Sequence, residues 1–171
     1  LLVFGARAGR AAAQYALEQA APSLNPLTLL ASDEERRLNE HFLNKEGGQE
    51  RIATIRTEMQ QTMEQGVGIY RDEAGLRQTC DTLRQLRERF AHIAIEDRGH
   101  VFNTELIGAL ELDFMLDVAE AVARSALQRQ ESRGSHTRTD FPDRNDERYL
   151  QHSLAYRTPE GPRIAYSPVT I

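Results

Sequence analysis

The stretch NTELIGALELDFMLDVAEAVARSALQ, residues 103–128, decides the fold of this chain. Asn103 is of a residue type that caps helix N-termini, and Glu105 follows in the first turn, near the positive end of the helix dipole. Bulky apolar residues then recur almost every turn, at Leu106, Leu110, Phe114, Val118 and Val122. Alanines occupy much of the remaining circumference. The stretch therefore predicts one long helix with an apolar stripe along it.

Two further helices are predicted before this one. The first runs from about Gln49 to Gly66 or Gly68, and its apolar face comprises Ile52, Ile55, Met59 and Met63. Its end, MEQGVGIYR at residues 63–71, is typical of a helix C-terminus with glycine in the left-handed conformation. The second runs from about Asp72 to Ala91, and its apolar seam comprises Leu76, Cys80, Leu83, Leu86 and Phe90.

Three such helices joined by short loops predict a mainly α fold, an antiparallel, spectrin-repeat-like bundle. Upstream, Ser32 with Asp33 and Glu34 indicates a helix start, and Gly47-Gly48 indicates a stop. Downstream of Gln130, HSLAYRTPEGPRIAYSPVTI alternates apolar and polar residues on both sides of Pro159-Glu160-Gly161-Pro162. This end of the chain predicts either a short β-hairpin or two extended arms.

The first segment, LLVFGARAGRAAAQYALEQAAP, begins without Met and with an apolar run, and small residues recur along it at three- and four-residue steps. We expect a helix left from an upstream domain and interrupted at Pro22, Asn25 and Pro26; the alternative is a helix packed on this chain's own bundle. GARAGR lacks the preceding strand and third glycine of a dinucleotide loop. The predicted division is residues 1–30, then the bundle at 31–130, then a charged tail at 131–171.

Composition excludes several classes of protein. A net charge of −5 and a pI near 5.6 argue against nucleic-acid binding, because no basic face is concentrated anywhere. The single cysteine, Cys80, excludes an internal disulfide and Cys-based metal or iron–sulfur sites, and favours a reducing compartment. Apolar runs are far shorter than a membrane-spanning helix requires, so we expect a soluble chain.

Candidate chemical groups are few, and each has a simpler interpretation. No two histidines have the spacing of a helical zinc pair, and a triad of Ser132 or Ser135 with His136 and Asp140 would need neighbours on one loop to reach triad geometry. The carboxylate pairs Glu34-Glu35 and Asp146-Glu147 are expected to be solvated, and Cys80 to be a small buried apolar residue. No catalytic, cofactor-binding or metal-binding residue is therefore assigned.

The unusual segment is ESRGSHTRTDFPDRND, residues 131–146. Its charges interleave almost to neutrality, with Arg133, Arg138 and Arg144 set among Glu131, Asp140, Asp143 and Asp146. Such a composition is not typical of a disordered tail. It predicts an ordered network of bidentate ion pairs, formed either within the chain or with another chain.

Three blocks carry a family resemblance: RTEMQQTMEQGVGIYRDEAGL, HVFNTELIGALEL, and VARSALQRQESRGSHTRTDFPDRNDERYLQHSLAYR. In order and spacing the chain resembles the C-terminal part of the flavoprotein subunit of fumarate reductase and succinate dehydrogenase, with L-aspartate oxidase as a relative. The opening LLVFGARAG resembles the last helix of that family's FAD-binding domain. MEQGVGIYR and VFNTEL are similar to fumarate reductases and DFPDRND to succinate dehydrogenases, which leaves the direction of the reaction open.

The resemblance implies a cytoplasmic oxidoreductase at the inner membrane, with FAD in the full-length subunit and none in these 171 residues. It implies the upstream FAD-binding domain and an iron–sulfur subunit as partners, membrane anchor subunits indirectly, and a scaffolding and docking role for this chain. Arg133 and His136 would anchor the tail to one of these partners. The alternative is a free-standing helical interaction module, such as an adaptor or assembly factor.

Overall fold

A computed structural model of the chain describes residues 1–20 and 23–170. These residues divide into two compact units, Leu1–Leu38 and a larger one that begins at Asn39. The larger unit contains the charged tail together with the helices before it. The predicted domain boundary at residue 30 lies inside a helix of the first unit, and the division of the chain at residues 30 and 130 stays a prediction.

The first unit consists of α1, Leu2–Glu18, and α2, Asn25–Leu38. No described residue of either helix is buried. The predicted helix start at Ser32 is wrong, because α2 already begins at Asn25; Pro26 lies in its first turn, where proline is tolerated since its missing N–H has no intrahelical partner. The break predicted at Pro22 lies outside the described residues.

The second unit is built on α3, Ile52–Val67, α4, Glu73–Phe90, and α5, Thr104–Gln128. Asp72 caps α4 by accepting the Gly75 N–H, and Asn103 caps α5 by accepting the Leu106 N–H at 2.7 Å. A short π-helical segment, Asn39–Leu43, precedes them. The prediction of a mainly helical fold is confirmed.

Hydrogen bonds and ion pairs between the helices show how the three are oriented. Arg56, in the first turns of α3, donates to the carbonyl of Gly108 near the start of α5. Arg89, at the end of α4, pairs with Glu50 just before α3 and with Glu58 inside it. The end of α4 therefore lies beside the beginnings of α3 and of α5. The likeness to a spectrin repeat stays a prediction.

The core shows that the apolar stripe predicted for α5 is not its buried face. Phe114, Val118 and Val122 are 60%, 62% and 42% exposed. The buried residues are Ala109, Leu112, Leu116, Ala119, Ala123 and Ala126. These alternate steps of three and four and so keep facing the partner helices, whereas a constant step of four advances by about 40° each time and drifts around the helix.

The same spacing corrects the predicted seam of α4. Its buried residues are Leu76, Thr79, Leu83, Leu86 and Phe90, again at alternating steps of three and four. Cys80 is only half-buried, so the prediction that it is a core residue is wrong. Thr79 is tolerated in the core because its hydroxyl donates to the Gly75 carbonyl at 2.9 Å.

Short strands complete the second unit. Strand β1, Tyr70–Arg71, pairs in parallel with β2, Thr137–Arg138. A single helical turn, α6 at Asp146–Tyr149, leads into β3, Gln151–Tyr156, and β4, Arg163–Pro168. These last two strands form an antiparallel hairpin in register from Gln151↔Pro168 to Tyr156↔Arg163. Of the two alternatives predicted for this end of the chain, the structure has the hairpin.

The end of α3 differs from the predicted left-handed glycine cap. Gly68, at the C-cap, has φ −65° and ψ −149°. It is constrained by space, since a Cβ there would lie 2.6 Å from the carbonyl oxygen of Glu64. Gly66 is similarly enclosed, because a Cβ would lie 1.8 Å from Oγ1 of Thr79. Together these two glycines fix the path of the chain from α3 into β1.

Candidate functional site

The C-terminal end of α5 is capped by a buried arginine from the charged segment. Arg138 has no exposed surface, and its guanidinium makes two 2.7 Å hydrogen bonds to the carboxylate of Asp140. The same guanidinium donates to the carbonyl oxygens of Ala126, at 3.1 Å, and Leu127, at 3.2 Å. A cation in this position satisfies carbonyls that have no intrahelical partner and opposes the negative end of the helix dipole.

Glu131 is the second buried charge of this segment. Its carboxylate, which has no exposed surface, accepts hydrogen bonds from Arg129 at 2.6 Å, Arg133 at 2.8 Å and the Asn145 N–H at 2.8 Å. Burial by itself disfavours the charged form, but the three donors outweigh it and hold the pKa of Glu131 below its usual range. The carboxylate therefore stays ionised and ties the beginning of the segment to its end.

Asp146 extends the network to the surface. It accepts hydrogen bonds from Arg144, at 2.7 Å, and from Arg133, at 2.6 Å. These two arginines lower the pKa of Asp146 to about 2, and Arg138 likewise lowers the pKa of Asp140 to about 2. The predicted network of ion pairs is therefore present, and its partners belong to this chain.

His136 links the network to β1. Nδ1 of its ring lies 2.9 Å from Nη1 of Arg71, and Nε2 lies 3.0 Å from the Arg129 carbonyl oxygen. Because guanidinium only donates and carbonyl only accepts, the ring is neutral with its proton on Nε2. Burial, together with Arg71 and other nearby arginines, lowers the pKa of His136. Arg133 and His136, predicted to anchor the tail to the FAD-binding domain or to the iron–sulfur subunit, make these hydrogen bonds with described residues of this chain, and the anchoring role stays a prediction.

The Ser-His-Asp grouping considered from the sequence is engaged in other hydrogen bonds. Ser132 Oγ donates to the Phe141 carbonyl at 2.9 Å and accepts the Arg138 N–H at 2.9 Å. Asp140 is held by Arg138, and His136 by Arg71 and the Arg129 carbonyl. A nucleophile, base and orienting carboxylate would instead have to contact one another. The three residues serve the network.

A groove of about 900 Å³ lies between α4, α5 and the tip of the β3–β4 hairpin. Its lining includes Cys80, Arg84, Glu120, Arg124 and Tyr156. Burial raises the pKa of the Cys80 thiol, so the thiolate, the nucleophilic form, is disfavoured. Burial also raises the pKa of Glu120.

The described residues show neither a metal site nor a helix that could span a membrane. No group of three or more His, Cys, Asp or Glu side chains within residues 1–20 and 23–170 could hold a metal ion. Over the same residues, no helix combines the length and apolar character needed to cross a membrane. GARAGR lies inside α1, so its glycines form no strand-to-helix turn and do not fit a pyrophosphate.

A row of bulky apolar side chains faces solvent on α5, and we call it the outer row. It comprises Ile107, Phe114, Val118 and Val122, with exposures between 42% and 62%. A second exposed group, Ile69 and Tyr70, follows α3. From the sequence, Phe114, Val118 and Val122 are predicted to belong to the apolar stripe of α5, whereas Ile107, Ile69 and Tyr70 are given no role. The three-four spacing of alanines and leucines on α5 was the signal that identifies the buried face.

Comparison with known proteins gives consistent matches. The family described as "Fumarate reductase flavoprotein C-term" matches residues 56–171. The fumarate reductase flavoprotein subunit of Mycobacterium tuberculosis is 49% identical over 100% of this chain and 30% of its own length. The chain thus spans about a third of the length of that relative.

Solved structures agree with this match. A chain of Escherichia coli quinol fumarate reductase superposes with a TM-score of 0.91 at 40% identity, covering 99% of this chain and 29% of that one. A chain of the Mycobacterium smegmatis Sdh1 complex superposes with a TM-score of 0.82 at 34% identity, covering 98% of this chain and 28% of that one.

Proposed function

We propose, because the chain belongs to the family of fumarate reductase and succinate dehydrogenase flavoprotein subunits, that it acts as the C-terminal docking and scaffolding part of such a subunit. The whole subunit would interconvert fumarate and succinate. The greater identity to the named fumarate reductases, 49% and 40% against 34% for the Sdh1 complex, supports the reductive direction.

The single observation that carries the docking role is the outer row of α5. Bulky apolar side chains are exposed on α5 between Ile107 and Val122, while another face of the helix is packed in the core. Large contiguous apolar surfaces on soluble domains mark sites of interaction. The long remainder of the family's flavoprotein subunit supplies a surface to cover the row, since the chain spans only 30% of its M. tuberculosis relative.

In this proposal FAD and the reacting dicarboxylate bind upstream of residue 1, and no residue of the chain contacts either. The chain stabilises the FAD-binding part of its own polypeptide and contributes to the surface on which an iron–sulfur subunit sits. Membrane anchor subunits contact it only indirectly, on the cytoplasmic side of the inner membrane. The multi-subunit complexes among the structural relatives support this assembly.

The test is to purify the 171-residue chain and the full-length subunit that contains it. We expect the chain alone to bind no FAD and to show no dye-linked succinate oxidation, and the full-length subunit to do both. Removing residues 39–171 from the full-length subunit should weaken its retention of FAD. A yellow 171-residue preparation that oxidises succinate would contradict the assignment of roles.

A further inference from the structure

We call the ion-pair network of the charged segment the ionic cluster; its members are Arg129, Glu131, Arg133, Arg138, Asp140, Arg144 and Asp146. Arg71 differs from the arginines of the ionic cluster in having no carboxylate partner among the described residues. Its Nε donates to the Gly68 carbonyl at 2.8 Å, and Nη1 donates to the neutral His136 ring at 2.9 Å. Burial lowers the pKa of Arg71, and no neighbouring carboxylate offsets that effect. By contrast, Arg129 and Arg133 both pair with Glu131, and Arg138 pairs with Asp140. The charge of Arg71 is therefore left uncompensated in a partly desolvated position.

The residues directly before Arg71 are apolar and exposed. Ile69 is 74% exposed and Tyr70 is 72% exposed. An aromatic residue and an arginine side by side, with an aliphatic neighbour, form the composition typical of the residues that dominate binding energy at protein interfaces. The three residues Ile69, Tyr70 and Arg71 are called the β1 patch below.

The β1 patch is held in place by the fold. Before it, Gly66 and Gly68 pack so closely on Thr79 and the Glu64 carbonyl that no other residue would fit without a shift. After it, the Arg71 carbonyl accepts the Thr139 N–H at 2.8 Å, next to the parallel pairing of β1 with β2. A patch fixed in this way loses little conformational entropy when it binds. Its exposure is therefore built into the structure.

We propose that the β1 patch docks on the part of the flavoprotein subunit that precedes residue 1, and that a carboxylate of that part pairs with Arg71. This inference rests on the docking role proposed above. The charge of Arg71 calls for an anionic group, and guanidinium and carboxylate form strong bidentate pairs. The occupant lies within the same polypeptide: the chain covers 30% of its M. tuberculosis relative and matches a C-terminal family, so most of the subunit precedes it.

The size of the patch also favours an occupant in the same polypeptide. Three residues are far fewer than the roughly 20 to 30 a side of a standard interface between separate proteins. A covalently attached domain is held at a high effective concentration, so a small contact suffices to hold it. A free iron–sulfur subunit would need a much larger surface around the same point.

Photo-crosslinking in the full-length subunit, assembled with its partner subunits, tests the proposal. A photoreactive phenylalanine analogue replaces Tyr70 in one preparation and Phe114 in another, and Arg84, an exposed residue paired with Asp81, in a control. We expect Tyr70 to crosslink to peptides that precede residue 1 of the same polypeptide. Crosslinks from position 70 only to another subunit, or none while position 114 still crosslinks upstream, would overturn the inference and leave the docking role standing. No upstream crosslink from either position would overturn both.

Charge variants then test the ion pair. Arg71→Gln is expected to lower the crosslink yield from position 70 by roughly tenfold, whereas Arg84→Gln leaves it unchanged. Arg71→Gln also loses hydrogen bonds within the chain, so this variant alone does not isolate the ion pair. A charge swap does: Arg71→Glu is combined with a change to Arg at the upstream acidic residue that crosslinking places nearby. If each single charge change lowers the crosslink yield from position 70 and the double variant restores it, the ion pair between Arg71 and the upstream carboxylate is supported. Unchanged yields in all the variants would overturn it.

Discussion

The ionic cluster and the outer row of α5 use their residues in opposite ways. In the ionic cluster, Glu131 and Arg138 are charged yet fully buried, and each is paired within the chain. On the outer row, Phe114 and Val118 are apolar yet mostly exposed. The most polar segment is therefore part of the internal framework, whereas the apolar row lies on the surface of this chain. Residue polarity alone would place the charged segment on the surface and the apolar row in the core, the reverse of what the structure shows.

The largest expected effect comes from breaking the ionic cluster. Arg138→Met removes a fully buried guanidinium that donates to the final carbonyls of α5 and pairs with Asp140, whose side chain is 30% exposed and keeps the Glu73 N–H as a donor. Removing one partner of a fully buried ion pair typically costs about 3–5 kcal/mol, so for this partly exposed pair we expect a loss at the lower end of that range. Urea unfolding of the 171-residue chain measures this loss. Arg144→Met is the matched control, since both side chains of the Arg144–Asp146 pair are exposed, and it should lower the unfolding midpoint only slightly. Equal losses in both variants would show that burial does not distinguish the two pairs.

The next prediction compares the two faces of α5. Leu116→Ala removes a fully buried side chain and should lower the free energy of unfolding by about 2–5 kcal/mol. Phe114→Ala removes a larger side chain from the outer row, yet should change the free energy of unfolding by only about 0.5 kcal/mol or less. Urea unfolding of both variants gives the comparison. A larger loss of unfolding free energy for Phe114→Ala than for Leu116→Ala would show that the outer row is the buried face of α5.

A smaller effect is the dependence of stability on pH. The pKa values of Asp140 and Asp146 are about 2 in the folded chain against an ordinary 3.8, and that of Glu131 is also lowered. The unfolded chain therefore binds protons more readily, so this stabilisation is complete above about pH 4 and is lost as the pH falls towards 2. Unfolding free energies measured from pH 6 to pH 2 should decline over that window, less steeply in Asp140→Asn. A flat profile down to pH 2 would count against the network.

Local signals predicted the helices and most of the buried residues of α4, together with Ile55 and Met59 of α3, but not the buried face of α5. Caps such as Asp72 and Asn103 act over three residues, so sequence alone locates the starts of α4 and α5. On α5 both faces are apolar, and the choice between them depends on which one meets α3 and α4. Side-chain size favoured Phe114 and Val118, whereas the spacing that follows the partner helices belongs to Ala109, Leu112 and Leu116.

In the candidate sites, too, contacts between residues close in sequence were predictable and contacts between distant residues were not. The density of alternating charges in residues 131–146 predicted an ordered network, because opposite charges close in sequence can pair locally. The contact of His136 with Arg71 joins residues 65 positions apart through the pairing of β1 with β2, and no local pattern indicates it. The β1 patch was missed for this reason, since an unpaired arginine is recognised only when its surroundings are known.

Phe114→Asp distinguishes whether the outer row of α5 binds the rest of the flavoprotein subunit, as proposed, or stays exposed there. In the 171-residue chain Phe114 is 60% exposed, so the change should leave the urea unfolding midpoint nearly unaltered. In the full-length subunit the same change places a charge in an apolar contact, so the temperature at which FAD is released should fall. An unchanged release temperature in the full-length subunit, with a normally folded chain, would contradict the account.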